Sequence, residues 1–212
     1  MRTLASALAV ALCAMAAEAP RVVYTKSFPR SNPAYVKIVV ERDGSTVYTE
    51  AEKDDQPLQF KLAPTEAGQI FSLADRLDHF KRPLESGLKV ANMGMKTFRY
   101  EDGAESSEQR FNFSTDENAR GLLDWFERIT ETERHYIDVE RTVRFDRIGV
   151  NQALLDLAVT NERKRLVARD QFLPLLDRIA KNDSFVHIAR ERAATLADEI
   201  RRADEPQGSQ KQ

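Results

Sequence analysis

Three histidines, His79, His135 and His187, are the side chains of this chain best suited to proton transfer or metal binding near neutral pH. Glu131 and His135 stand four residues apart, as do His187 and Glu191. On a helix that spacing puts both side chains on one face, where they can supply two ligands to a metal. No His-Glu-x-x-His pattern is present, and spacing places no third or fourth ligand, so both read as solvated or hydrogen-bonded pairs. Motifs for a serine nucleophile elbow, a phosphate loop or a dinucleotide-binding turn are absent. Carboxylates are too widely spread to single out a glycosidase couple. The acidic run Glu50, Glu52, Asp54 and Asp55 lacks the alternation of a calcium loop. The expectation is therefore no catalytic residue, no metal and no cofactor.

Two stretches carry a different kind of signal. In Lys89 to Thr97, Met93 and Met95 flank Gly94, and flexible methionines beside a glycine suit an adaptable contact surface. The same residues also fit a strand or bulge in which the methionines fill the core. Phe28 and Pro29 form a second apolar candidate. Phe28, Pro29, Met93, Gly94 and Met95 are the candidate protein contacts. Phe98, Tyr100, Phe111 and Phe113 alternate with Arg99 and Arg110, which puts the aromatics on one face of a hairpin. That is a core-facing pattern, and no nucleic-acid partner is expected.

The bulk properties agree. The 212 residues carry 32 Lys and Arg against 34 Asp and Glu, a net charge of −2, which excludes the strongly basic footprint of a general nucleic-acid binder. Acidic residues are in excess over residues 41–117 and basic ones over 160–203. Arg2, the apolar run Leu4 to Ala14, and the small-residue sites Ala14-Met15-Ala16 and Ala17-Glu18-Ala19 read as a cleaved secretory signal peptide over residues 1–19. The run is too short to span a bilayer, and no transmembrane segment is expected after cleavage. Export to the periplasm or the medium follows. Cys13, the single cysteine, leaves with the leader, so disulfides, thiolate zinc sites and cysteine nucleophiles are excluded from the mature chain. Asn112 and Asn182 each begin an N-glycosylation pattern, which would be a chance match if the source is bacterial, and both also read as helix starts.

The elements that position these residues can be read from periodicity. Residues 20–34, with Pro20, Pro29 and Pro33, read as an extended arm without regular structure. Tyr35 to Arg42 alternates, Asp43-Gly44 predicts a hairpin with a type I′ turn, and a third strand follows at Leu58, Phe60 and Leu62. A helix capped by Thr65 and stopped by Pro83 comes next, then a second hairpin with a longer acidic loop after Asp102-Gly103. Ser114 and Glu117 form a capping box for a long amphipathic helix ending before Gly149. Only helices follow, with Pro174 at a kink or new start and Asp183 or Ser184 capping the last. The expected fold is α+β: an antiparallel sheet of about five strands packed on two helices, then an all-helical C-terminal segment. The divisions are an α+β domain over 35–130, a helical segment over 131–205 and a disordered tail over 206–212.

Two resemblances accompany this reading. Ser27 to Tyr35, Lys89 to Tyr100, Arg144 to Asn151 and Gln171 to Leu176 resemble an uncharacterised family of exported bacterial proteins, which implies export and no particular activity. Residues 36–129 resemble emfourin-type metalloprotease inhibitors in element order, with Asp43-Gly44 where that family has a Gly-Gly turn. That likeness implies an inhibitor-like module and carries over no inhibitory residue. The functional expectation is an exported, non-catalytic protein-binding module with an unidentified protein partner. The alternatives are the inhibitor-like module and an envelope enzyme whose site lies between the sheet and the C-terminal helices.

Overall fold

The computed structural model describes residues 19–29 and 31–204. The expected leader lies outside the described residues except for Ala19, as does the tail over 206–212. The described residues form an α+β fold with six antiparallel strands and five α-helices: β1 Arg21–Ser27, β2 Tyr35–Glu41, β3 Ser45–Thr49, β4 Leu58–Lys61, α1 Pro64–Arg76, β5 Met95–Asp102, β6 Glu105–Phe111, α2 Glu117–Phe145, α3 Val150–Glu162, α4 Leu173–Ala180 and α5 His187–Asp204. The sheet order is β4-β3-β2-β1-β5-β6.

The stretch expected to be an unstructured arm is instead the inner strand β1. It pairs along its whole length with β2, from Arg21 opposite Glu41 to Ser27 opposite Tyr35, and with β5, from Arg21 opposite Glu101 to Ser27 opposite Met95. The prolines mislead because none falls inside the strand; Arg21-Val22-Val23-Tyr24-Thr25 is β-prone sequence in its own right. This strand raises the count to six and moves the start of the α+β unit to Arg21.

Local chemistry corrects several turns and caps. At the first hairpin only Gly44 has positive φ, at +89°, and its N–H donates to the Glu41 carbonyl at 2.9 Å. A three-residue loop with glycine in the left-handed position replaces the expected type I′ turn. The second hairpin closes on just Gly103 and Ala104, so the expected acidic loop is strand β6. Helix α1 begins after Ala63, whose N–H donates to Glu66 Oε2 at 2.9 Å, and Thr65 stays exposed. It ends at Arg76, ahead of Pro83, where Asp78, His79 and Phe80 all take left-handed φ. Asp116, not Ser114, caps α2, accepting from the Asn118 and Ala119 amides. At the last helix neither Asp183 nor Ser184 caps: the Val186 carbonyl receives the first helical bonds, while Asp183 pairs with Arg190.

Two cores share one helix. Tyr24, Ile38, Phe98, Phe111 and their neighbours on one sheet face pack under α1 and under Leu122, Phe126 and Ile129 of α2. The second core joins Val139 of α2 to α3, α4 and α5. The expected division at residue 130 therefore falls inside a continuous helix. At the junction, the fully buried Thr132 accepts a hydrogen bond from the Val167 amide at 3.2 Å. Beside it the fully buried Glu133 accepts from Gln171 Nε2 at 2.9 Å, and its other carboxyl oxygen has no partner among the described residues. Burial pushes the Glu133 carboxyl up to about 7. Among the described residues no helix is long and apolar enough to cross a membrane.

Candidate functional site

Helix α2 runs 29 residues and outreaches the sheet beneath it. Its first half presents apolar residues to the strands. From Glu127 onward it also presents Glu127, Thr130, Glu131, Arg134, Asp138 and Arg141, a polar stripe that recurs about every turn and so follows one helical face. That stripe, the β1–β2 end of the sheet, the Ser31–Pro33 turn and Asp156 of α3 enclose a cleft of about 800 Å³. From Glu127 to Arg141 the helix rises about 21 Å. Tyr24, Val36 and Ile137 supply apolar surface within it.

Most polar groups of the cleft are held by the protein itself. Arg134 Nη1 donates to the Asn32 carbonyl at 2.7 Å, tying the Ser31–Pro33 turn to α2. Ser31 Oγ bonds the carbonyls of Phe28 and Pro33 at 2.8 and 2.6 Å, which closes that turn on itself around the cis Asn32-Pro33 bond. Arg165 donates to Glu131 at 2.6 Å and to Asp124 at 3.1 Å. Arg141 holds Asp138 at 2.6 Å, the Tyr48 hydroxyl donates to Glu50 at 2.7 Å, and Gln152 donates to Asp156 at 2.9 Å.

Three groups differ. Lys26 and Glu127 line the cleft without a hydrogen bond or ion pair among the described residues. Tyr24 is 1% exposed, its ring stacks on Phe126 at 4.7 Å, and its hydroxyl has no partner among the described residues. Burial, reinforced by the Glu127 charge, raises the Tyr24 hydroxyl pKa and keeps it protonated. A buried hydroxyl without a partner costs about 1–3 kcal/mol, so such groups normally find one.

The histidines do not converge. His135 lines the cleft, but its Nε2 lies 2.9 Å from Thr160 Oγ1, and burial pushes the ring towards the neutral form. Glu131, its helical neighbour, is engaged by Arg165 instead. His79 pairs with Asp75 at 2.9 Å and stacks on Tyr100 at 4.0 Å, while His187 forms an exposed pair with Glu191 at 3.1 Å. No group of three or more His, Cys, Asp or Glu among the described residues is placed to hold a metal ion.

The candidate contact residues form a separate cluster. Gly94 is buried against the Phe28 side chain, Pro29 is exposed, and Met93 and Met95 are 50% and 42% exposed rather than filling the core. Leu88 and Val90 on the same segment are exposed as well. Polar clamps fix this segment. Asn112 accepts from the Met93 amide at 2.8 Å and donates to the Ala91 carbonyl at 3.0 Å. The buried Lys96 ammonium donates to the carbonyls of Met93, Gly94 and Asn112 at 3.4, 3.1 and 2.8 Å. The Glu85 carboxylate accepts from the Asn112 amide at 2.6 Å. Sequence reasoning missed both these clamps and the cleft. The one available signal for the cleft was the 3–4 spacing of polar residues along α2, which looks the same as a solvated face.

Compared with known proteins, the chain matches no protein-family model and no curated protein.

Proposed function

We propose that this protein is an exported binding module whose ligand seats in the cleft between the sheet and the second half of α2. One observation carries the reading: a partly enclosed volume of about 800 Å³ whose Tyr24 hydroxyl, Lys26 ammonium and Glu127 carboxylate have no partner among the described residues. Concave sites with a few convergent polar groups are where proteins take ligands. The remaining polar groups are tied back into the fold, which preorganises the walls and lowers the cost of binding. The leader-like residues 1–19 support export. His135, the one histidine in the cleft, is engaged with Thr160, which favours binding over proton transfer.

The test is native mass spectrometry of the mature chain, residues 20–212, recovered from its own cell envelope. Thr130→Trp, which fills the cleft, serves as the paired control. A species retained by the wild type and lost by the Trp variant supports the reading. Equal retention by both overturns it.

A second reading keeps the protein partner on the other cluster. It is favoured by Leu88, Val90, Met93 and Met95, four exposed apolar side chains on a segment fixed by Asn112 and Lys96. The inhibitor resemblance of residues 36–129 makes a metalloprotease the first partner to try. An unchanged hydrolysis rate in the presence of the full mature chain counts against that partner.

A further inference from the structure

We infer that the ligand of this cleft carries an ammonium and a carboxylate on one small molecule, as the head of a free amino acid or the two ends of a short peptide. The inference rests on the cleft being the ligand site. It follows from a subtraction. Once every group with a hydrogen-bond or ion-pair partner inside the protein is set aside, the cleft keeps one unengaged cation, Lys26, and one unengaged anion, Glu127; Arg134, Glu50 and Asp156 keep their charges but are each held by a neutral group.

The two charges approach from opposite walls. Lys26 sits on the sheet, two residues along β1 from Tyr24, so both side chains leave the same face about 7 Å apart. Glu127 sits on the helix, next to Phe126, whose ring covers Tyr24. The fields of both Lys26 and Glu127 reach the Lys96 ammonium, and that of Glu127 reaches the Tyr24 hydroxyl, so these charges act on common neighbours.

This pairing selects by charge. A ligand with only a cation answers Glu127 but sets a like charge before Lys26. A ligand with only an anion does the reverse. Inside a cleft such repulsion is stronger than in open water, because less solvent intervenes. A molecule bearing both charges satisfies both walls. The protonated Tyr24 hydroxyl, unpartnered among the described residues and part of the same lining, can donate to the carboxylate that Lys26 attracts. The rest of the ligand then extends along α2 towards Asp138 and Arg141.

Isothermal titration of the full mature chain tests this with defined probes: leucine, trialanine, N-acetyl-trialanine, trialanine amide and the doubly capped peptide. The expected result is that leucine or trialanine binds, and that capping either end weakens trialanine at least tenfold. Leucine alone binding identifies a free amino acid; trialanine binding identifies peptide ends, and its capped forms then assign each wall. Glu127→Gln should remove the penalty for N-acetylation, and Lys26→Met the penalty for amidation. If leucine alone binds, N-acetyl-leucine and leucine amide replace the capped peptides. Both variants alter side chains without internal partners, and circular dichroism verifies that they fold. Tyr24→Phe should weaken binding several-fold without loss of stability. If capped probes bind as well as free ones, and Thr130→Trp abolishes both, the charge pairing is wrong while the cleft stands. If no probe binds the wild type, or Thr130→Trp leaves binding unchanged, the pairing falls together with the cleft as its seat.

Discussion

Gly94 lies directly against Phe28: a β-carbon added to Gly94 would fall 2.8 Å from the β-carbon of Phe28 and 3.3 Å from the carbonyl oxygen of Ser27. Gly94 also has φ of +88°, where other residues are strained. The contact joins the turn after β1 to the segment before β5. Gly94→Ala should therefore cost about 2–4 kcal/mol, combining the left-handed penalty with overpacking. Phe28→Ala should recover part of that loss in the double variant, because only the clash is relieved and the φ strain persists. Urea denaturation of the two single variants and the double variant measures this.

Glu133 makes stability depend on pH in an unusual direction. Its carboxyl rises from the ordinary 4.5 to about 7 because burial penalises the charge, and Gln171 offsets this only in part. Tyr48 of β3 and Tyr136 of α2 also feel its charge, and neither supplies a cation. A carboxyl with a raised folded pKa favours the fold below the unfolded value, and that contribution disappears as pH rises through the folded value. Between pH 4.5 and about 7 the loss amounts to about 3 kcal/mol. Glu133→Gln keeps the shape, removes the titration and should flatten the profile. Urea midpoints at pH 5 and pH 8 for both proteins provide the check; an unchanged slope in the variant would refute the assignment.

The Asn112 side chain is a clamp, so its loss should be felt locally. Asn112→Ala frees the Met93 amide and the Ala91 carbonyl. Amide exchange over residues 88–94 should quicken by tenfold or more, while exchange in β1 and β2 stays as it was. The thermal midpoint should fall only slightly, since both freed groups lie where water can replace the bond.

Removing residues 19–28 should abolish folding altogether. β1 is the strand between β2 and β5, and its loss leaves the three-stranded β2–β3–β4 unit and the β5–β6 hairpin with no shared partner. It also removes Val22 and Tyr24 from the core. Accordingly a fragment of residues 36–129 alone, which lacks β1, should show no cooperative thermal transition by circular dichroism. A sharp transition in that fragment would mean the sheet tolerates a missing centre.

The helices were legible because their buried residues recur at 3.6-residue spacing: Ile70, Phe71, Ala74 and Leu77 all point inward as expected. Hairpins were legible at Asp43-Gly44 and Asp102-Gly103 because glycine marks the reversal. Turn types and caps were not, since Asp43 or Gly44 alone can serve several loop lengths, and Ser114 and Asp116 compete for the same amides. β1 was hidden by flanking prolines and by the consecutive buried run Val22, Val23 and Tyr24, which breaks the alternation that β2 and β5 keep. The cleft was hidden for another reason. Lys26 and Glu127 are 101 residues apart in sequence, and only the packing of α2 on β1, seen where Phe126 stacks on Tyr24, brings them into one lining.

The placement of β1 also bears on how the chain reaches its final form. Its pairing with β2 is local, but its pairing with β5 ties Arg21 to Glu101, a separation of 80 residues. Closing so long a loop has to precede any gain from that ladder, which slows folding. The β2–β3 and β5–β6 hairpins can each form early from neighbouring residues. The middle of the sheet is then the last seam to close, uniting two preformed hairpins along a strand made at the start of synthesis. Until residue 101 has emerged, one edge of β1 has no partner, and an unpaired edge is a template for wrong pairing.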